Sequence, residues 1–181
     1  MLGSYIDFEG TDAMAAQLAW LKADLAKVDR SRTPWLVGVL HAPWYNSNMA
    51  HQKEHEEAEL RDAMEELLYD AQMDLMFAGH VHAYERSVPV YQGKPDKCAP
   101  TYINIGDGGN REGLAKGYLK QPAWSAYREA SFGHGILSVL NATHASWTWH
   151  RDQDGERVVS DSVAVVRSAS CSARQPLVEA A

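Results

Sequence analysis

The sequence predicts an α/β fold in which a βαβ unit is followed by mainly antiparallel strands. Two observations carry this. Apolar runs at Pro34–His41 (PWLVGVLH) and Met73–His82 (MDLMFAGHVH) flank a helical stripe, and each run ends in histidine. Beyond Arg86 the helical spacing gives way to short segments of period-two alternation divided by turn residues. Strands apolar on both faces are the mark of a parallel sheet covered by helices, and a right-handed crossover puts both strand ends on one edge.

The elements follow in order. Met1–Gly10 is extended in character and has no periodicity. From Thr11 a helix is predicted, because Met14, Leu18, Leu21, Leu25 and Val28 form one stripe. Thr11 or Asp12 can cap it, and Arg30–Pro34 closes it. Trp20 reads as core or rim. The first strand ends at His41. A polar, turn-rich loop, APWYNSNMAHQKEH, leads into a helix over 53–71 whose apolar face is Leu60, Met64, Leu67, Leu68 and Ala71. Its early Glu54, Glu56, Glu57 and Glu59 favour the macrodipole and read as a solvated face. The second strand ends at Gly79. A short strand is expected at Ser87–Tyr91, then a loop, then a strand closing in the glycine-rich turn of TYINIGDGGN; residues 111–129 read as irregular. Three further strands are expected in GHGILSVLN, THASWTWHR and VVSDSVAVVR. In the middle one Ala145, Trp147 and Trp149 share a face and read as core. Residues 1–167 form one domain in this reading, and 168–181 a flexible tail.

Composition bounds the function. At 181 residues the chain can bury a core; 45% apolar and 23% charged residues are ordinary for a globular domain. The formal charge of −7 argues against nucleic acid or a polybasic membrane contact. No apolar run approaches the length of a membrane span, and no basic-then-apolar leader follows Met1, so no signal peptide is read in this chain. Cys98 and Cys171 are too few for a cysteine scaffold; whether they pair is open. Asn141 with Thr143 forms a glycosylation sequon.

Chemistry concentrates at the strand ends. Gly79 allows a tight turn, so His80 and His82 can both face a site past the second strand. Neutral imidazole is the commonest metal ligand, and the topology brings His41 to the same edge. His51 lies in the loop leaving that edge and is a candidate for substrate contact; His55 receives no role. The GDGG turn has no following helix and is a poor phosphate cradle, so a turn that brings Asp107 or Asn110 toward the edge is the competing reading.

Taken together, VLHAPWYNS, FAGHVHAYERS, INIGDGGNREG and YREASFGHG, in that order, resemble the plant-type purple acid phosphatases of the calcineurin-like metallophosphoesterases. The resemblance covers Ser4 to about Arg167 and only the second half of that family's catalytic domain. It implies a partial metallophosphoesterase β-sandwich flanked by helices, and hydrolysis of phosphate monoesters at a dinuclear centre of Fe(III) beside zinc, manganese or iron. By the same resemblance His41 and His80 bind the divalent metal, His82 binds the ferric ion, and His51 binds substrate or protonates the leaving group. A small phosphate ester is the implied partner, a homodimer is one arrangement it allows, and a secreted or vacuolar location is expected. The sequence departs from the family at Ala50, where a second histidine is common, and it contains no GDxxY or GNHE block.

That departure has a physical consequence. Neutral imidazoles cancel none of the repulsion between two cations, and Fe(III) prefers anionic oxygen. The strand-end carboxylates available are Asp107, read as a turn or supporting residue, and Glu85; His134 also reads as support. The chain alone is therefore expected to be inactive. Alternatives are a mononuclear zinc hydrolase or a non-catalytic metal-binding remnant. A sheet cut in half is also expected to expose an unpaired edge and to favour self-association.

Overall fold

The computed structural model describes residues 1–5, 12–52, 54, 56–154, 158–168 and 170–171. In chain order the elements are α1 (Ala13–Leu25), β1 (Val37–Val39), α2 (Glu56–Asp70), β2 (Leu75–Ala78), β3 (Tyr84–Ser87), β4 (Val90–Tyr91), β5 (Lys94–Pro95), β6 (Thr101–Ile105), β7 (Ser125–Glu129), β8 (Gly133–Val139), β9 (His144–Arg151) and β10 (Asp161–Val166). A five-stranded sheet has the order β1-β2-β6-β3-β7, a three-stranded sheet the order β10-β9-β8, and β4 and β5 make a small hairpin. β1, β2 and β6 run parallel; β3 is antiparallel to both β6 and β7. The crossover through α2 forces β1 and β2 parallel, which brings their histidine-bearing ends together.

Side chains alternate across the large sheet, and each face has its own core. Met76, Ala78 and Tyr102 join Leu21, Leu60, Met64 and Leu68 beneath the two helices. Leu75, Tyr84 and Ile103 meet Trp147 and Trp149 of the second sheet. The expected inward face of the HASWTWHR strand is thus buried between the sheets, and Trp20, 47% exposed, sits at the rim.

A polar lock crosses the same interface. Arg86 donates to Asp161 from Nε at 2.7 Å and Nη2 at 2.8 Å, and Tyr84 Oη donates to the same carboxylate at 2.7 Å. Trp147 Nε1 donates in turn to Tyr84 Oη, and the Tyr84 ring stacks on Trp149 at 4.4 Å. Burial pushes the Asp161 carboxyl up, but the bonds from Arg86 and Tyr84 outweigh it and hold the group below its ordinary value.

Several sequence expectations change. β1 is an edge strand, not a covered one: Val37 and Val39 are each 40% exposed, and the described neighbour on the open side contributes one bond, Leu2 N to Val39 O. Periodicity cannot separate a strand buried on both faces from an apolar edge strand. The Ser87–Tyr91 segment is broken at Val88–Pro89, since proline cannot donate to a ladder, and becomes the end of β3 and the start of β4. The 111–129 stretch is not wholly irregular; Ser125–Glu129 forms β7 and closes the far edge. Thr11 lies outside the described residues; Asp12 stands at the N-cap of α1 without a side-chain capping bond. Cys98 and Cys171 form a disulfide, with Cα atoms 5.4 Å apart. It ties Cys171, which falls within the expected tail, to the body, and Gln72 donates to the Cys171 carbonyl beside it; 169 and 172–181 lie outside the described residues. No described helix is long and apolar enough to cross a membrane.

Candidate metal centre

The site is built from two strand ends and one loop. Gly79 N donates to the His41 carbonyl at 2.9 Å, which stitches the turn after β2 to the residue beyond β1. Ser4 Oγ accepts from the backbone N–H groups of His41 (3.0 Å) and Ala42 (2.9 Å) and holds the other side of that turn. As a result His41 Nε2 lies 3.1 Å from His80 Nδ1. The 42–52 loop is pinned by its own asparagines: Asn46 Oδ1 accepts from Asn48 N, Asn48 Oδ1 accepts from Ala50 N, and Asn48 Nδ2 donates to the Ala115 carbonyl. That folds the loop back over the edge and lays the His51 ring against His80, centroids 3.8 Å apart.

Glu54 joins the group. It pairs with His51 Nδ1, and its Oε2 lies 2.9 Å from His80 Nε2. Tyr5 Oη is 3.1 Å from the same oxygen and 3.0 Å from His80 Nε2. Burial pushes the Glu54 carboxyl up, yet the bonds to His51 and His80 prevail and bring it to about 2. Desolvation drives the His80 imidazole down, with Glu54 opposing. The acidic run at this helix start is therefore not all solvated face. Glu54 precedes α2, and the His51-x-x-Glu54 spacing was the available signal for it.

His82 is placed differently. Its Nδ1 lies 3.2 Å from the Gly113 carbonyl and 3.8 Å from Glu112, and among the described residues neither His82 nor His41 belongs to the set His51, Glu54 and His80 whose ligand atoms cluster, although His41 touches His80. Glu85 is spent on support: its carboxylate accepts from Ser47 N at 2.8 Å, Ser47 Oγ at 2.5 Å and Ser125 Oγ at 2.6 Å. Asn110 caps its own turn by accepting from Glu112 N and Gly113 N. His134 pairs with Asp152 and stacks on His150, 5.5 Å between centroids.

Asp107 is fully buried and accepts from Trp149 Nε1 at 2.8 Å. Burial pushes its carboxyl up to about 7, against the pull of that bond. The folded chain thus keeps a proton that the unfolded chain releases near pH 4, so this group lowers stability as pH rises from about 4 to about 7. Asp107→Asn is expected to abolish that slope, at most about 1.4 kcal/mol per pH unit. Urea unfolding of both proteins between pH 4.5 and pH 8.5 should show the variant gaining on the wild type as pH increases.

The donor set can be matched to a metal. One ligand atom each from His51, Glu54 and His80 lies within 4.8 Å of the others, and imidazole with one carboxylate suits a single borderline divalent ion such as zinc. This group by itself does not supply the ligands of a second, ferric ion. Among the described residues that group holds one carboxylate, Glu54, and neutral imidazole is a poor substitute for anionic oxygen. Beside His51 opens a cavity of about 170 Å³ bordered also by Asn46, Gln52, Glu54 and Arg61.

Histidines thus gather at the carboxyl edge of the parallel strands β1 and β2, with a second sheet packed against the far face, and the comparisons with known proteins place this arrangement among the phosphoesterases. Residues 3–84 match the family model described as calcineurin-like phosphoesterase, and residues 99–162 match the one described as iron/zinc purple acid phosphatase-like protein C. "Probable purple acid phosphatase 20" of Arabidopsis thaliana is 61% identical over 165 residues, covering 90% of this chain and 38% of its own length. "Purple acid phosphatase 18" of the same plant is 58% identical, covering 90% and 36%. A solved purple acid phosphatase from yellow lupin seeds superposes with a TM-score of 0.78 at 26% identity, covering 93% of this chain and 31% of that one. The chain belongs to the purple acid phosphatase family. It spans well under half the length of the relatives it matches.

Proposed function

We propose that these residues are the histidine-rich part of an acid phosphatase site that hydrolyses phosphate monoesters. The observation that carries the reading is the meeting of His41 and His80, 39 residues apart in sequence, at 3.1 Å on one sheet edge. In this reading His41 and His80 hold a divalent ion, His82 belongs to the second metal of the family's iron-and-divalent pair, and His51 meets substrate. A bound divalent cation would supply Lewis-acid stabilisation of charge developing on the phosphoryl oxygens. The chain's own contribution is orientation. Glu54 holds His51 through Nδ1, which leaves Nε2 as the atom that carries a proton to the leaving oxygen at the cavity mouth. The disulfide and the exposed Asn141 sequon favour an oxidising, secretory or vacuolar setting.

Because the described residues of this group offer a single carboxylate, and the chain contains no GDxxY or GNHE block, the 181-residue chain alone is expected to hydrolyse p-nitrophenyl phosphate no faster than background. In a protein that joins these residues to GDxxY and GNHE blocks, hydrolysis at mildly acidic pH is expected, and His80→Ala should return it to background. Turnover by the lone chain that disappears with His80→Ala would contradict the first expectation. Full activity of the longer protein carrying His80→Ala would contradict the second.

A further inference from the structure

β2 and β3 both pair with β6, which lies between them. The chain must leave β2, pass over the C-terminal end of β6 and enter β3, and it does so between Ala78 and Tyr84. So short an arch takes an unusual path. Val81 N donates to the Gly79 carbonyl and Ala83 N to the Val81 carbonyl, each at 2.7 Å, giving two consecutive three-residue turns centred on His80 and His82. His80 has φ +61°. A turn of this kind about a positive φ is rare and strained for a residue with a side chain, and it persists only where its surroundings over-determine it.

The end of β6 supplies that constraint. Asn104, 4% exposed, donates from Nδ2 to the Val81 carbonyl at 2.8 Å and to the Ala83 carbonyl at 2.5 Å. Two residues on, the arch rests on the backbone of Gly106, where an added Cβ would stand 2.2 Å from the Val81 oxygen. We propose that Asn104 and Gly106 are positioning residues: a brace under the arch that fixes the mutual direction of the His80 and His82 rings. The GDGG turn then owes its first glycine to the close approach of this arch. The functional consequence rests on reading His80 and His82 as metal ligands; the brace itself does not.

The test uses the 181-residue chain with Asn104→Ala, the near-isosteric Asn104→Asp (which has no N–H to donate), Gly106→Ala, and Leu68→Ala as an equally buried control remote from the arch. Amide exchange is read at Val81 and Ala83 without metal, and zinc affinity by competition with a chromophoric chelator. The Asn104 and Gly106 variants are expected to exchange at those two amides at least about tenfold faster, and to bind zinc at least about tenfold more weakly. Leu68→Ala should lower the melting temperature without singling out either readout. Unchanged exchange at Val81 and Ala83 would overturn the brace. Faster exchange with wild-type zinc affinity would overturn the positioning role and leave a purely structural one. If the wild-type chain binds no zinc, the metal reading falls, and the exchange readout alone decides the brace.

Discussion

Arg86→Met is expected to destabilise the fold by about 3–5 kcal/mol, because it leaves the Asp161 carboxylate charged and buried between two sheets. Arg86 and Asp161 are 9% and 7% exposed, so neither is screened by water to any extent. The pH dependence is diagnostic. In the wild type the depressed Asp161 pKa contributes stability that is present above the unfolded carboxyl value near 4 and is lost as pH falls through the lower folded value. Without Arg86 that carboxyl is raised instead, so the variant's deficit should be largest at neutral pH and shrink in acid. Chemical unfolding at pH 7 and pH 4 reads both numbers. An Arg86→Met/Asp161→Leu double variant should recover much of the loss, since an apolar pair of similar volume removes the stranded charge. A deficit that does not change with pH would mean that Arg86 matters for its packing and not for its charge.

The second large effect belongs to the disulfide. Cys98 and Cys171 are separated by 73 residues, and closing a loop of that size in the unfolded chain corresponds to about 4 kcal/mol by the chain-entropy relation. The Cys98→Ser/Cys171→Ser variant is therefore expected to unfold at markedly lower denaturant, and reduced wild type should match it. A reductant effect on the wild type that also appears in the double-serine variant would show that the loss has another origin.

Much of the architecture was readable because it rests on periodicity. The stripe Leu60, Met64, Leu68 and the two histidine-terminated apolar runs foretold the βαβ unit, and its topology brings His41 to His80. The alternation of Ala145, Trp147 and Trp149 foretold which face of β9 is buried. What stayed hidden depends on tertiary partners. The edge position of β1 follows from which strands lie beside it, and apolar residues look the same in either setting. β7 is held by pairing with β3 across a bulge, and its own SAYRE sequence has little strand character. Glu54 resembled its acidic neighbours in sequence, and only its spacing from His51 set it apart; in the fold it reaches two imidazoles. Asp107 likewise could not be placed from composition, because its burial is decided by Trp149 on a strand 42 residues away.

The central claim is that the imidazoles at this sheet edge form a metal site. Zinc bound per chain, measured at equilibrium for wild type and His80→Ala, tests it most directly. Close to one ion per wild-type chain and none in the variant is the result expected. No bound zinc, or the same amount in both proteins, would contradict it.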